Sequence, residues 1–128
     1  MNPAIATRNF QRDMEAIAEN LRIEVSHKKG KSTSWSEVET RSSFDIDEDL
    51  YIHVFDESQL GEPRFNVIVF TLLQDRFNYY IGILNECNYI QGIKVKKYKS
   101  SFMFIAENLK AIEELLRHIK HHLTMEEE

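Results

Sequence analysis

The sequence predicts an α+β fold, in which an antiparallel sheet of about five or six strands has one helix before it and one after it. A stretch near each end of the chain has apolar residues at helical spacing, whereas the region between them alternates apolar and polar residues as strands do. The predicted strands follow one another across short turns, without the strand–helix alternation of a doubly wound sheet. We expect both helices to pack on the apolar face of the sheet.

The N-terminal helix is predicted to begin at Asn2-Pro3, because a proline in the first turn loses no hydrogen bond. Its core-facing residues recur at helical spacing: Phe10, Met14, Ile17 and Leu21. From Leu21 to Val25 apolar and polar residues alternate instead, which predicts a strand. Continuation of the helix to about residue 26 is the alternative.

Two strands with one polar and one apolar side are predicted next. The first extends from Ser34 to Ile46 and the second from Leu50 to Phe55, and the acidic residues Asp45 to Asp49 form the turn between them. The segment from Asp56 to Pro63 is predicted to be a loop, because it contains both a glycine and a proline.

The segment from Phe65 to Leu73 is apolar at both odd and even positions. This pattern predicts a central strand that is covered at least in part on both sides, with Phe70 in the core. Gln74 to Arg76 is predicted to turn the chain, so that Phe77 to Leu84 forms a hairpin partner. A further turn leads into a predicted strand from Tyr89 to Tyr98.

The C-terminal helix has one apolar stripe, formed by Leu109, Ile112, Leu116, Ile119 and Leu123. Ser100 or Ser101 is a predicted cap. The run from Phe102 to Ile105 suits either the end of a strand or the start of this helix, and the sequence leaves both open. Met125 to Glu128 is predicted to fray as an acidic tail.

The composition predicts one intracellular domain that spans residues 1–128. A chain of 128 residues has the commonest domain size, and it contains no repeat or low-complexity linker. The single Cys87 has no partner for an internal disulfide, which favours the cytoplasm. The N-terminal residues lack the pattern of a secretion signal, and the longest apolar stretch, Val67 to Leu73, is too short to cross a bilayer. We therefore expect no membrane partner.

The net charge of −5 is distributed unevenly along the chain. Residues 32–62 hold one Arg and nine Asp or Glu, which gives −8, whereas residues 63–99 hold six Lys or Arg and two Asp or Glu, which gives +4. Such segregation steers partners or aligns two copies of a chain. The acidic total disfavours nonspecific binding of nucleic acid, because that binding neutralises phosphates.

The most basic stretch contains Lys94, Lys96, Lys97 and Lys99. One hypothesis is that it binds an acidic protein or, less favourably, nucleic acid; the favoured interpretation is that the lysines protect a sheet edge from pairing with other chains. Trp35 stands in a polar segment, where it either anchors a partner or folds over the core. Asp45, Asp47 and Asp49 supply the opposite charge and complete the predicted partner-binding residues.

Two sets of residues have incomplete metal-ligand spacing. Three histidines lie near the end of the last helix: His118, His121 and His122. His118 and His122 are one turn apart and need a third ligand such as Glu114; alternatively, these histidines face water and are favoured by the helix dipole. Asp45 to Asp49 begins like a calcium loop, but Leu50 stands where that loop needs glycine. We expect no tightly bound metal and no cofactor.

No catalytic motif is complete in this sequence. One hypothesis is that Cys87 is a nucleophile activated by a histidine such as His53. The better interpretation is that Cys87 is a partly buried cysteine in a turn without a catalytic role. Phosphate-binding glycine loops and hydrolase motifs are absent. The sequence therefore favours a non-catalytic protein-interaction module, such as a small chaperone, an inhibitor or a regulatory partner, acting as a dimer. The alternatives are nucleic-acid binding through the lysine stretch and an enzyme whose site is assembled from scattered residues.

Overall fold

The computed structural model describes residues 3–29, 40–56 and 65–126. Its elements in chain order are α1 (Pro3–Leu21), β1 (Glu24–Lys29), β2 (Thr40–Asp47), β3 (Leu50–Asp56), β4 (Phe65–Phe70), α2 (Gln74–Asn85), a 3₁₀ turn (Glu86–Tyr89), β5 (Ile93–Lys97), β6 (Ser101–Ala106) and α3 (Leu109–Glu126). The six strands form one antiparallel sheet in the order β1-β2-β3-β4-β6-β5. The predicted α+β class is thus confirmed, with a third helix in addition to the two terminal ones.

The change of period after Leu21 marks the end of α1, as predicted. Arg22 adopts a left-handed backbone conformation with φ 57°, which breaks the helix. The N–H of Arg22 donates to the carbonyl of Glu19 at 3.2 Å, and that of Ile23 donates to Ala18 at 3.0 Å. The chain then enters β1 at Glu24, so the alternative of a helix continuing to residue 26 is wrong.

The middle strands agree with the alternation, within the described residues. β2 begins at Thr40, and residues 34–39 of the predicted strand lie outside the described ranges. β4 ends at Phe70, three residues earlier than predicted. Leu72 and Leu73 follow it with exposed side chains, so these two leucines are not part of the strand.

The prediction of a strand from Phe77 to Leu84 is wrong, because these residues belong to α2. The buried residues of α2 are Phe77, Tyr80, Ile83 and Leu84, which share one face of a helix. Phe77 packs against Phe102 of β6 with ring centroids 5.7 Å apart. The edge of β4 that a hairpin would have occupied is paired with β6 instead, Ile68 lying opposite Met103. Long-range strand pairing therefore overrides the local alternation.

The structure shows where the sheet ends and the last helix begins. Residues 102–105 lie within β6, and α3 begins at Leu109. The cap is Asn108, whose Oδ1 accepts a hydrogen bond from the N–H of Ala111 at 2.8 Å, so neither Ser100 nor Ser101 caps the helix. α3 extends to Glu126, which includes the first two residues of the predicted acidic tail.

All three helices cover the same face of the sheet. The strand residues on that face are buried: Phe44, Ile52, Val54, Val67, Val69, Phe102, Phe104 and Ala106. The predicted stripes of α1 and α3 pack over them, led by Met14, Ile17, Ile112, Leu116 and Ile119. None of the helices in the described ranges is long and apolar enough to cross a membrane.

The two terminal helices lie side by side on this face. Nδ2 of Asn20 donates to Oε1 of Glu113 at 3.1 Å, and Nζ of Lys120 donates to the carbonyl oxygen of Leu21. The second contact satisfies a carbonyl at the end of α1 that has no partner within the helix. α3 therefore holds the point at which α1 ends.

Candidate functional site

The opposite face of the sheet, which we call the open face, is covered by none of the helices that the structure describes. Strand register places its side chains in three rows across β3, β4 and β6. The rows are Tyr51–Phe70–Ser101, His53–Ile68–Met103 and Phe55–Asn66–Ile105. Six of these nine residues are Phe, Ile, Met or Tyr, whereas the solvated side of an antiparallel sheet normally carries polar residues.

The apolar side chains of the open face pack on one another. The rings of Tyr51 and Phe70 are stacked, with centroids 5.1 Å apart and planes inclined by 15°. The His53 ring lies 5.4 Å from that of Phe70, and its Nδ1 is 2.6 Å from Oγ of Ser43. Tyr51 is 39% exposed, and Phe55, Ile68, Phe70, Met103 and Ile105 are half-buried. The result is a contiguous apolar surface of the kind found at protein contacts.

Charged residues surround this apolar surface. Lys94 lies opposite Ile105 and Lys96 opposite Met103, which places both lysines on the open face at the β5 edge. Arg41 lies opposite Phe55 at the other side. Asp45 lies directly opposite Glu24, and both are exposed. Two like charges at this separation repel each other, so the Asp45–Glu24 pair favours a positively charged neighbour.

The structure separates the predicted lysines into two groups. Lys94 and Lys96 lie on the open face, whereas Lys97 ends β5 and Lys99 follows in the turn, both exposed. Among the described strands, β5 pairs only with β6 and forms an edge of the sheet, which supports the interpretation that these lysines protect the edge. Trp35 lies outside the described residues.

The predicted aspartates point in different directions, because the register of β2 shifts between Phe44 and Asp47. Asp45 follows the buried Phe44, so strand alternation directs it to the open face, at the end of β2 where a cavity is shared with Lys120 of α3. Oδ1 of Asp47 accepts the N–H of Asp49 at 3.0 Å, and Oδ2 of Asp49 lies 3.6 Å from Nε of Arg76. The three carboxylates therefore do not converge on one calcium site.

Asp47 approaches the buried hydroxyl group of Tyr80 in α2. That hydroxyl has no partner at hydrogen-bond geometry among the described residues. Burial, assisted by the carboxylate of Asp47, raises the pKa of Tyr80 well above its ordinary value. Tyr80 therefore stays protonated and serves as a core residue.

Cys87 lies in the core on the helix side of the sheet, away from His53 on the open face. Its Sγ donates to the carbonyl oxygen of Ile83 at 3.4 Å. Burial raises the pKa of the Cys87 thiol to about 12. Because the thiolate is the reactive form, this cysteine is an inert part of the core at neutral pH.

Cys87 is accordingly expected to resist thiol reagents in the folded protein. At pH 8 its modification by a chromogenic disulfide reagent should be roughly a thousandfold slower than in urea, because the thiolate population falls by that factor. Stopped-flow absorbance of both samples measures the two rates. Equal rates would show that the thiol is accessible and would reopen the nucleophile hypothesis.

A chain of hydrogen bonds joins Glu15, His27 and Ser42 in an arrangement that resembles a hydrolytic triad. Nδ1 of His27 is 2.8 Å from Oγ of Ser42, and Nε2 is 3.1 Å from Oε1 of Glu15. Ser42, however, is fully buried beneath α1, so no substrate reaches its hydroxyl. The chain of bonds joins α1 to β1 and β2, and it is structural.

The side chains of the open face were not among the predicted site residues, although the sequence contains a signal for them. Ile68 and Phe70 are the second apolar face of the strand that was predicted to be central, and β4 is indeed in the interior of the sheet. That second face was expected to be covered, whereas the described helices all lie on the other one. Comparison of the chain with protein-family models, with curated proteins and with solved structures found no match.

Proposed function

We propose that this chain is a non-catalytic protein-interaction module of the cytoplasm, and that its open face binds the open face of a second copy. The apolar surface around Ile68, Phe70 and Met103 is the observation that supports the proposal. Apolar patches of this kind are rare on soluble monomers, because burying them in a contact is favourable. The buried free thiol of Cys87 agrees with the reducing compartment that the composition favours.

A two-fold axis across the strands, at the level of His53 and Met103, brings complementary residues together. This axis places the row of Tyr51 over the row of Phe55 in the second copy. On β2, it places Asp45 over Arg41 of the second copy, and the same contact occurs twice by symmetry. Face-to-face sheets pack about 10 Å apart with strands inclined by about 30°, which suits the twist of both copies.

The size of the open face indicates a weak dimer. Six strands about 4.8 Å apart and three rows about 7 Å apart span roughly 600 Å² in each copy. The two copies together bury roughly 1,200 Å², which is the lower limit for specific contacts. We therefore expect association in the micromolar range, so that the dimer exchanges with monomer and with other apolar partners.

The open face is less suited to single-stranded nucleic acid. A surface that binds single-stranded nucleic acid needs exposed aromatic rings on which bases stack, and positively charged residues around them. Here the ring of Tyr51 is stacked on Phe70, and the carboxylates of Asp45 and Glu24 lie at the end of the same row. On the open face itself, the positive charge at the β5 edge comes from Lys94 and Lys96.

Ile68→Asp is expected to abolish self-association, because it buries a charge in the contact. Analytical ultracentrifugation of the 15.1 kDa chain between about 1 and 500 μM should show a monomer–dimer equilibrium for the wild type and monomer alone for the variant. Leu72→Asp is the matched control, because Leu72 is 73% exposed and lies outside the open face. Urea unfolding of each variant checks that it is folded.

The orientation of the dimer is tested by charge reversal. Arg41→Asp and Asp45→Arg should each weaken the dimer, and the double variant should restore it, since the two residues face each other across the axis. A wild type that stays monomeric at the highest concentration would overturn the proposal, as would equal weakening by Leu72→Asp. Salt-sensitive binding of a random oligonucleotide that is lost in Ile68→Asp would assign the face to nucleic acid instead.

A further inference from the structure

A second group of side chains lies at the other side of the molecule, where α3 passes the end of α2. Nε2 of His118 and Nε2 of His122 are each 3.8 Å from Oε2 of Glu86. One ligand atom from each residue lies within 4.8 Å of the other two. Among the side chains that the structure describes, in residues 8–27, 41–56 and 65–123, this is the only group of three metal-ligating residues that converges in this way.

His118 is held with one nitrogen directed into this group. Its side chain is only 9% exposed, and its Nε2 is buried without a partner at ordinary hydrogen-bond geometry among the described residues. Its Nδ1 lies 3.1 Å from the hydroxyl oxygen of Tyr89. When Nδ1 carries the proton and donates to Tyr89, the lone pair of Nε2 is left free. Burying a nitrogen without a hydrogen-bond partner costs free energy, so a bound cation that accepts the lone pair of Nε2 would stabilise this arrangement.

We propose that Glu86, His118 and His122 bind one divalent transition-metal ion of the zinc class. Zinc–nitrogen bonds of about 2.0–2.1 Å in a tetrahedral site place the ligand atoms about 3.4 Å apart, so a small side-chain adjustment closes the observed 3.8 Å. Two imidazoles with one carboxylate suit zinc, cobalt, nickel or copper, whereas calcium and magnesium prefer oxygen ligands alone. Water supplies the fourth position.

The surroundings agree with this assignment. The hydroxyl of Tyr89 orients the His118 ring from behind, as the outer partners of ligating histidines do. Glu114, the third ligand expected from the sequence, is engaged instead with Nη1 of Arg117 at 2.7 Å. A bound ion would link the 3₁₀ turn that begins at Glu86 to the C-terminal half of α3. The ion would thereby stabilise the fold on the helix side.

The test uses Zn²⁺ and Co²⁺ as probes with the full chain carrying no histidine tag. Calorimetry should show one Zn²⁺ per chain, and Co²⁺ should give the visible absorption bands of a tetrahedral site. Glu86→Gln and His122→Gln should each weaken binding by roughly tenfold or more, because each removes a direct ligand. His121→Gln and Glu114→Gln are matched controls, which should bind as the wild type does.

Thermal unfolding provides a second readout that does not depend on calorimetry. Saturating Zn²⁺ should raise the melting temperature of the wild type and of His121→Gln, but not of His122→Gln, because only specific binding to the folded state stabilises it. Failure of the wild type to bind one equivalent, or equal weakening by His121→Gln and His122→Gln, would overturn the proposal. In the latter case the histidines would be acting as an unstructured surface cluster.

Discussion

Phe104→Ala is expected to lower the free energy of unfolding by about 3–5 kcal/mol, the usual cost of removing a buried phenylalanine ring. Phe104 is fully buried in β6, opposite Val67 on one side and Val95 on the other. Its ring also stacks on that of Phe102, with centroids 6.1 Å apart. Equilibrium urea unfolding followed by circular dichroism measures the loss, because one cooperative transition is the norm for a domain of this size.

Phe70→Ala is the matched control, and it should cost clearly less, about 1–2 kcal/mol. The prediction that Phe70 lies in the core is wrong, because its ring lies on the open face against Tyr51. Measurements are made at low protein concentration, so that dimerisation adds nothing. A loss for Phe70→Ala as large as that for Phe104→Ala would show that the open face is covered within one chain, and would count against the proposed contact between copies.

Tyr80→Ala is expected to cost about 3 kcal/mol or more, whereas Tyr79→Ala should cost less than about 1 kcal/mol. In α2, Tyr80 shares the buried face with Phe77 and is 1% exposed, while Tyr79 is 39% exposed beside Arg76. If residues 77–84 formed a strand, Tyr79→Ala would cost more than Tyr80→Ala, because residues 77 and 79 would then share the buried face. The ranking of the two losses in urea unfolding therefore separates helix from strand.

The Tyr80→Phe substitution distinguishes the contribution of the Tyr80 ring to stability from that of its hydroxyl group. Since the buried hydroxyl has no hydrogen-bond partner at ordinary geometry among the described residues, its removal should leave stability unchanged or slightly higher. The ring, which fills the space between α2 and the sheet, remains. A loss above about 1 kcal/mol for Tyr80→Phe would show that the hydroxyl bonds to Asp47 in solution.

The local sequence pattern was sufficient to predict the type of each element whose buried residues recur with a single period. The stripe of α3 from Leu109 to Leu123 has no competing alternation, and the strands from Thr40 to Asp56 have one buried side each. Both kinds of element were therefore predicted correctly in type. The central position of β4 also followed from the sequence, since both of its faces are apolar.

Local pattern failed where two periods fit the same residues. Phe77, Tyr79, Ile81 and Ile83 alternate as a strand does, while Phe77, Tyr80 and Leu84 fit a helix. The choice between them depends on β6, which is distant in sequence and pairs with the free edge of β4. No property of residues 74–85 alone carries that information.

The two candidate sites differ in how far the sequence reveals them. The helical spacing of His118 and His122 is visible in the sequence, but the third ligand, Glu86, comes from a different element that only packing identifies. The apolar residues of the open face are visible as well. Their exposure is not, because periodicity does not distinguish an apolar face covered by helices from one that is left open.

The contact between α1 and α3 has a consequence for synthesis of the protein. A growing chain leaves the ribosome N-terminus first, so α1 emerges long before the helix that it packs against. Until α3 has cleared the exit tunnel, the apolar stripe around Met14 and Ile17 lacks its neighbours, and the carbonyl oxygen of Leu21 lacks Lys120. The native core therefore closes only after α3 has emerged, and the apolar stripe of α1 stays exposed on the growing chain until then.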